Sequence, residues 1–258
     1  MIPVTEVAPT FSTASVLPPV RLEIRNLCAG YGATQVVRGV SVSVRAGEVV
    51  AMLGRNGSGR STLCQAITGL LEQRRGSVQL DGKELIACAA HEVALAGIAY
   101  VPEQRMIFDH LTVEENLLLG KKPRNVPHAL HVSQWSMEEM YHFYPRLYER
   151  RSVRAGLLSG GEQQLLALFR SLIGNPLAIV IDEPSEGLAP QLLEVLVDVI
   201  AEMKRRGLAV LLMEQKQALA LRSADRVLIL GRGALVFDGS VVQFGLADEI
   251  RRTWLPSD

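Results

Sequence analysis

A short apolar run, EVVAML (48–53), passes directly into the glycine-rich stretch GRNGSGRST (54–62), and RSTLCQAITGLL (60–71) then reads as a helix. This order of strand, glycine loop and helix restricts the chain more than any other feature in it. Glycines at 54, 57 and 59 open backbone angles closed to other residues, so successive N–H groups can turn inward around an anion. The helix that follows aims the positive end of its dipole at the same point. The spacing is that of the phosphate-binding pattern G-x-x-x-x-G-K-[ST], except that Arg60 stands where the pattern has lysine. Gly54, Arg55, Asn56, Gly57, Ser58, Gly59, Arg60, Ser61 and Thr62 are therefore candidate nucleotide contacts, with the Ser61 hydroxyl placed to hold Mg²⁺. Taken alone, the stretch also fits a glycine-rich turn with no ligand.

Two further constellations bear on the same chemistry. LAIVID (177–182) is a continuous apolar run that ends in the acid pair Asp182–Glu183. Buried acids are costly, so such a pair belongs at a strand end where it can face a ligand. Asp182 is a candidate for the Mg²⁺ hydration shell and Glu183 for the general base that polarises an attacking water. Either acid singly also fits a helix cap. In LSGGEQQ (158–164), Ser159 is placed to cap a helix, and Gly160 and Gly161 let a phosphate approach its start; a bare cap is the alternative.

Elsewhere the pattern is of short strands interleaved with helices. RLEIRNLC (21–28) and VSVSVRAG (40–47) alternate as half-buried antiparallel strands do, whereas LAIVID and LAVLLM (208–213) read as strands covered on both faces. PQLLEVLVDVIAEMKRRG (190–207) has a helical period between Pro190 and Gly207, and DRVLILGRGALVFDG (225–239) reads as a hairpin turning at 231–233. From Thr112 to Gly156 the strand signal vanishes, and TVEENLLLG and SMEEMYHFYPRLYER read as helices. The expectation is an α/β core with a helical insert at about 104–158.

Composition narrows the partners. Lys+Arg and Asp+Glu are both 27, a balance that recruits neither nucleic acid nor an acidic lipid surface. The three cysteines (Cys28, Cys64, Cys88) are too scattered for a disulfide framework or a zinc site, which fits a reducing setting. Residues 1–20, with four prolines among Thr and Ser, read as a disordered tail or a short arm and not as a signal peptide. No apolar run approaches the roughly 18 residues of a membrane helix.

The loop at 54–62, LSGGEQQ, IDEP and SEGLAP together resemble the ATP-binding subunits of ABC transporters, over about residues 21–250. VPEQRMIFDHLTVEENLLLG (101–120), LSGGEQQ, DEPSEGLAP (182–190) and LMEQK (212–216) look most like the subunits of branched-chain amino acid uptake systems. The resemblance implies a P-loop NTPase-type ABC ATPase core with a small antiparallel β subdomain and a helical subdomain, flanked by tails at 1–20 and 251–258. It implies ATP and Mg²⁺ as ligands and a second ABC ATPase subunit, identical or different, paired head to tail. ATP then lies between one subunit's glycine loop and the other's LSGGE segment. Transmembrane permease subunits and, indirectly, a solute-binding protein complete the implied assembly, on the cytoplasmic face of the membrane. Urea or a short amide is the alternative solute.

By the same resemblance Tyr31, in AGYGA, stacks on adenine, and Glu103 takes the place of the glutamine that senses Mg²⁺ and the membrane partner. Gln104 follows it, so either residue of the pair fits that register. Gln215 occupies the place of the switch histidine, and Ser185 to Pro190 matches the segment that crosses to the second ATPase subunit. All five histidines (91, 110, 128, 131, 142) precede position 215, and bland surface roles are the reading for them. Soluble ABC proteins of DNA repair or chromosome structure share the motifs but carry long coiled coils, and this chain has no sustained heptads.

Three positions depart from that pattern: Arg60, Gln215 and Glu186, the last where an apolar residue is usual. A planar guanidinium fork is not interchangeable with a compact ammonium in a tight loop, so weakened ATP binding or slow hydrolysis is expected. Glu183 and LSGGE are intact. In a mixed pair, the composite site on the Arg60 loop would be weak and the site on the partner's loop would turn over. The alternatives are a nucleotide-binding partner with little catalysis, and an arginine that is tolerated at both sites.

Overall fold

The computed structural model describes residues 17–121 and 134–255. Residues 1–16 of the expected N-terminal tail, His128, His131 and the part of the insert at 122–133, and residues 256–258 lie outside the described residues. Val20–Tyr31 (β1) and Thr34–Arg45 (β2) are antiparallel, and Val49–Leu53 (β3) runs through the glycine loop into Arg60–Ile67 (α1). Arg74–Leu80 (β4) and Lys83–Glu84 (β5) precede Ala90–Ala96 (α2) and Ile98–Val101 (β6). Val113–Leu118 (α3), Met137–Phe143 (α4), Pro145–Glu149 (α5) and Gly160–Ile173 (α6) follow. Then come Ala178–Asp182 (β7), Pro190–Arg205 (α7), Ala209–Glu214 (β8) and Gln217–Ser223 (α8). Arg226–Gly231 (β9), Ala234–Ser240 (β10), Val241–Leu246 (α9) and Asp248–Trp254 (α10) close the described chain.

Among the described residues the strands make two sheets, in the orders β2-β1-β4-β5 and β10-β9-β3-β8-β7-β6. In the second sheet β9, β3, β8, β7 and β6 are parallel neighbours and β10 is antiparallel to β9. Every residue of β3, β7 and β8 is buried, which is why their sequences are apolar runs, interrupted only by the acids Asp182 and Glu214 at the ends of β7 and β8. The first sheet is antiparallel throughout, and its alternating sequence buries one face. One apolar cluster joins that face to α1 and the second sheet, through Leu22, Ile24, Val42, Leu63 and Leu211. A second cluster fills the space between the sheet and the helical segment around Phe169, Leu117, Met140 and Val199.

Several boundaries differ from the sequence expectations. The helix expected over 60–71 stops at Ile67, because Gly69 takes the left-handed backbone (φ 79°) that ends a helix. The tail expected over 1–20 is tied down earlier than Val20: Arg45 donates to the Pro18 carbonyl at 2.8 Å, and Ala46 N–H donates to the Pro19 carbonyl at 2.9 Å. The C-terminal tail expected from 251 is instead the second half of α10, and Leu255 is buried in a third cluster with Phe244 and Ile229. Its period is too short to announce itself in sequence. Between β6 and α6 the described residues hold α3, α4, α5 and a 3₁₀ turn (Ala155–Leu157) with no strand, only an isolated bridge from Thr112 to Arg154.

Candidate nucleotide-binding site

Parallel pairing of β3, β8 and β7 sets the site. The register puts Leu53 opposite Glu214 and Asp182 opposite Met213, so the glycine loop, the acid pair and Glu214 emerge at one edge of the sheet. This is the carboxyl edge, where ligands bind in open α/β sheets. A cavity of about 330 Å³ opens there. It is lined by the whole loop from Arg55 to Thr62, by Glu103, Glu183 and Glu186, and by Val36 of β2. Gly59 caps α1 at φ 106°, a left-handed conformation that glycine adopts without strain. Ser58 Oγ and Asp182 Oδ1 are buried with no hydrogen-bond partner. Asp182 is 1% exposed, so its bare oxygen is costly unless a ligand satisfies it.

Arg60 is the side chain whose aim the sequence could not give. It is 5% exposed, and its guanidinium turns into the protein. Nη1 donates to the carbonyl oxygens of Gly54 and, at 2.7 Å, of Glu214. Nη2 donates to Asn56 Oδ1 at 3.3 Å and forms an ion pair with Glu183 Oε1. Glu183 itself sits at a strained corner (φ 47°) with its N–H donating to the Met213 carbonyl at 3.0 Å.

The site is short of positive charge. Glu103, Glu183 and Glu186 line the cavity with Asp182 and Glu214 close by, against two guanidinium groups, Arg55 and the buried Arg60. Burial holds the Asp182 carboxyl above the usual range, against the opposing pull of the Ser61 hydroxyl and Arg60. Burial also raises Glu183, again opposed by Arg60. Desolvation and then the neighbouring charge of Glu186 raise Glu103. Glu214, 1% exposed, is pushed up to about 7 by burial while accepting the Ser185 N–H at 3.1 Å. Carboxyls displaced in this direction are what a divalent cation would relieve. Ser61 and the unpartnered Asp182 oxygen fit Mg²⁺, a hard cation that takes oxygen ligands. Among the described residues no group of three or more His, Cys, Asp or Glu is set to hold a metal, so the remaining ligands would be phosphate and water.

The other sequence candidates fall in different places. Glu103 lines the cavity and Gln104 does not. Tyr31 is half exposed beside α1, its hydroxyl donating to Gln65 Oε1 at 2.9 Å, and it stands outside the cavity lining. Gln215 follows β8 directly, half-buried and also outside the lining. Ser159, Gly160 and Gly161 are not brought to the cavity within one chain. Ser159 is the N-cap of α6, with Glu162 reaching back to its N–H at 2.8 Å. Glu186 of the expected crossing segment also lines the cavity.

Sequence reasoning passed over four residues. Val36 lines the cavity but carries no chemical signature. The Tyr100 hydroxyl lies 3.5 Å from Asp182 Oδ2. Arg105 lays its guanidinium on Gly160, so closely that a Cβ there would meet it at 2.8 Å. Glu214 follows an apolar run, and that position was the one signal that it is buried.

The ABC transporter family model matches residues 37–186. The chain is 40% identical over 206 residues to the high-affinity branched-chain amino acid transport ATP-binding protein BraG of Pseudomonas aeruginosa, covering 80% of this chain and 87% of that one. It is 30% identical over 234 residues to the lipopolysaccharide export system ATP-binding protein LptB of Haemophilus influenzae, covering 91% and 96%. The crystal structure of a nucleotide-free ATP-binding cassette from an ABC transporter superposes with a TM-score of 0.76 at 30% identity, covering 89% of this chain and 96% of that one. The α/β fold is that of an ABC ATPase cassette, and the chain belongs to the ABC transporter family.

Proposed function

We propose that this chain is the ATP-binding subunit of an importer for a small polar solute, a branched-chain amino acid first and urea or a short amide second. The observation that carries the nucleotide half is the cavity itself: the glycine loop along its wall, an unpartnered Asp182 oxygen and Ser61 beside it, and Glu183 facing the same space. The 40% identity to BraG supports the solute half. Ser61 and Asp182 would hold Mg²⁺, whose charge offsets that of the phosphate oxygens. The loop would orient the phosphates, and the half-exposed Tyr31 ring beside α1 would stack on the base. Glu183 would take the proton of a water whose oxygen bonds to the γ-phosphorus. The bond to the bridging oxygen breaks, and ADP leaves with that electron pair.

The chain would work at the cytoplasmic face of the membrane in a pair with a second ABC ATPase subunit, whose loop would meet Ser159, Gly160 and Gly161. Transmembrane permease subunits would dock over the apolar cavity of about 440 Å³ lined by Leu70, Ala94, Tyr100, Phe108 and Leu119. Leu70, Phe108 and Leu119 are exposed there and offer an apolar surface to a partner. No helix among the described residues is long and apolar enough to cross a membrane, so the spanning path would belong to those partners. A loaded solute-binding protein would act through them.

The test is reconstitution in proteoliposomes with the membrane subunits and the solute-binding protein. ATP-dependent uptake of leucine or valine is the expected outcome. Uptake of urea or acetamide alone would move the solute to the second reading, and movement of lipopolysaccharide outward would overturn the importer.

A further inference from the structure

We infer that Arg60 is an internal counter-ion that holds Glu183, so that this chain's own loop retains nucleotide without turning it over at the rate its other parts allow. The inference rests on the reading of the cavity as an ATP site. It concerns what replaces lysine there, and its observation is where the guanidinium goes.

A guanidinium is a rigid planar fork with five N–H donors, and it cannot shed its charge. In this chain Nη1 and Nη2 are already committed to four acceptors from separate parts of the fold. Gly54 begins the loop, Asn56 lies within it, Glu183 follows β7, and the Glu214 carbonyl ends β8. The side chain is almost fully buried where it borders the cavity, tied to the loop and to the ends of β7 and β8. To reach a phosphate, the guanidinium would have to leave at least the two carbonyls and the carboxylate that hold it. A lysine ammonium has three donors and no fork, so it cannot hold that set together and is free to turn outward.

Two consequences follow for Glu183. Its Oε1 lone pair is spent on a charge-assisted bond, among the stronger hydrogen bonds available to a side chain. A carboxylate so engaged is a poorer acceptor for the proton of water, and its direction is set by Arg60 and not by the cavity. Nucleotide retention is a separate matter, because the loop N–H groups, Ser58, Ser61 and Asp182 take no part in the pair. Arg60 is thus a positioning residue acting through Glu183. In a working pair of subunits the site on the partner's loop, closed by this chain's Ser159–Gly161, is untouched by the lock, so the two sites would differ in rate.

The test uses the full chain, with affinity for a fluorescent ATP analogue and single-turnover hydrolysis of Mg-ATP measured side by side. Arg60→Lys is expected to raise the single-turnover rate by about 10- to 100-fold, with affinity changed by less than about threefold. Adding Glu183→Gln to that variant should remove the whole gain. Equal rates for wild type and Arg60→Lys would overturn the lock. So would a rate that rises only in step with affinity, which would mean that Arg60 contacts phosphate. If neither protein binds the analogue, the ATP-site reading falls first and the inference with it.

Discussion

Arg60→Met is expected to lower the unfolding free energy of the nucleotide-free chain by about 3–5 kcal/mol, the usual penalty for removing one partner of a buried ion pair. The Arg60 and Glu183 side chains are 5% and 13% exposed, so solvent does little to screen their attraction or to replace it. Methionine fills much of the volume, which leaves the acceptors as the source of the loss. The Gly54 and Glu214 carbonyls and the Glu183 carboxylate would remain buried and unpaired. For a chain of this size the loss corresponds to a melting temperature lower by on the order of 10 °C. Combining Arg60→Met with Glu183→Leu removes the stranded charge and should restore a third or more of the loss. A fall below about 1 kcal/mol in the single variant would mean that the pair does not persist in solution.

The second large effect is expected at Asn116, which is 0% exposed in the helical segment. Its Oδ1 accepts the Phe108 N–H at 2.9 Å, and its Nδ2 donates to the carbonyls of Phe108 at 3.0 Å and Thr112 at 2.9 Å. One side chain therefore fixes both ends of the 108–112 segment, which carries Phe108 on the wall of the apolar groove. Asn116→Leu leaves the Phe108 N–H and carbonyl without these partners and should cost about 3 kcal/mol. Amide hydrogen exchange should rise chiefly over 105–112. Reconstituted transport should fall further than nucleotide binding by the isolated chain, because the loop cavity lies elsewhere. A uniform rise in exchange across the molecule would show that Asn116 only supports global stability.

How far the fold was legible depended on whether burial leaves a one-dimensional trace. β3, β7 and β8 are covered on both faces, so their apolar runs declare them, and their order around the glycine loop gives the core. The alternation of β2 likewise declares a sheet with one wet face. β4, with the mixed sequence RRGSVQL, and β6, only four residues long, leave no comparable trace and are set by pairing with neighbours. At the site, the loop and the acid pair are legible because the residues of each are adjacent in sequence. The Arg60–Glu183 pair is not, although both residues stand out in the sequence. They lie 123 positions apart, and spacing gives proximity without the direction of a guanidinium. Asn116 and Glu214 read as ordinary polar residues until the chain folds around them.

The central claim is that the cavity at 54–62 binds Mg-ATP. Calorimetric titration of the purified chain tests it most directly, with Gly59→Val as the control. Gly59 has φ 106°, and a Cβ there would stand 3.3 Å from the Val36 side chain, so valine cannot keep the loop's shape. One nucleotide per chain is expected, bound at least about tenfold more weakly without magnesium and not detectably by Gly59→Val. No heat of binding in the wild type, or binding that survives Gly59→Val undiminished, would contradict the account.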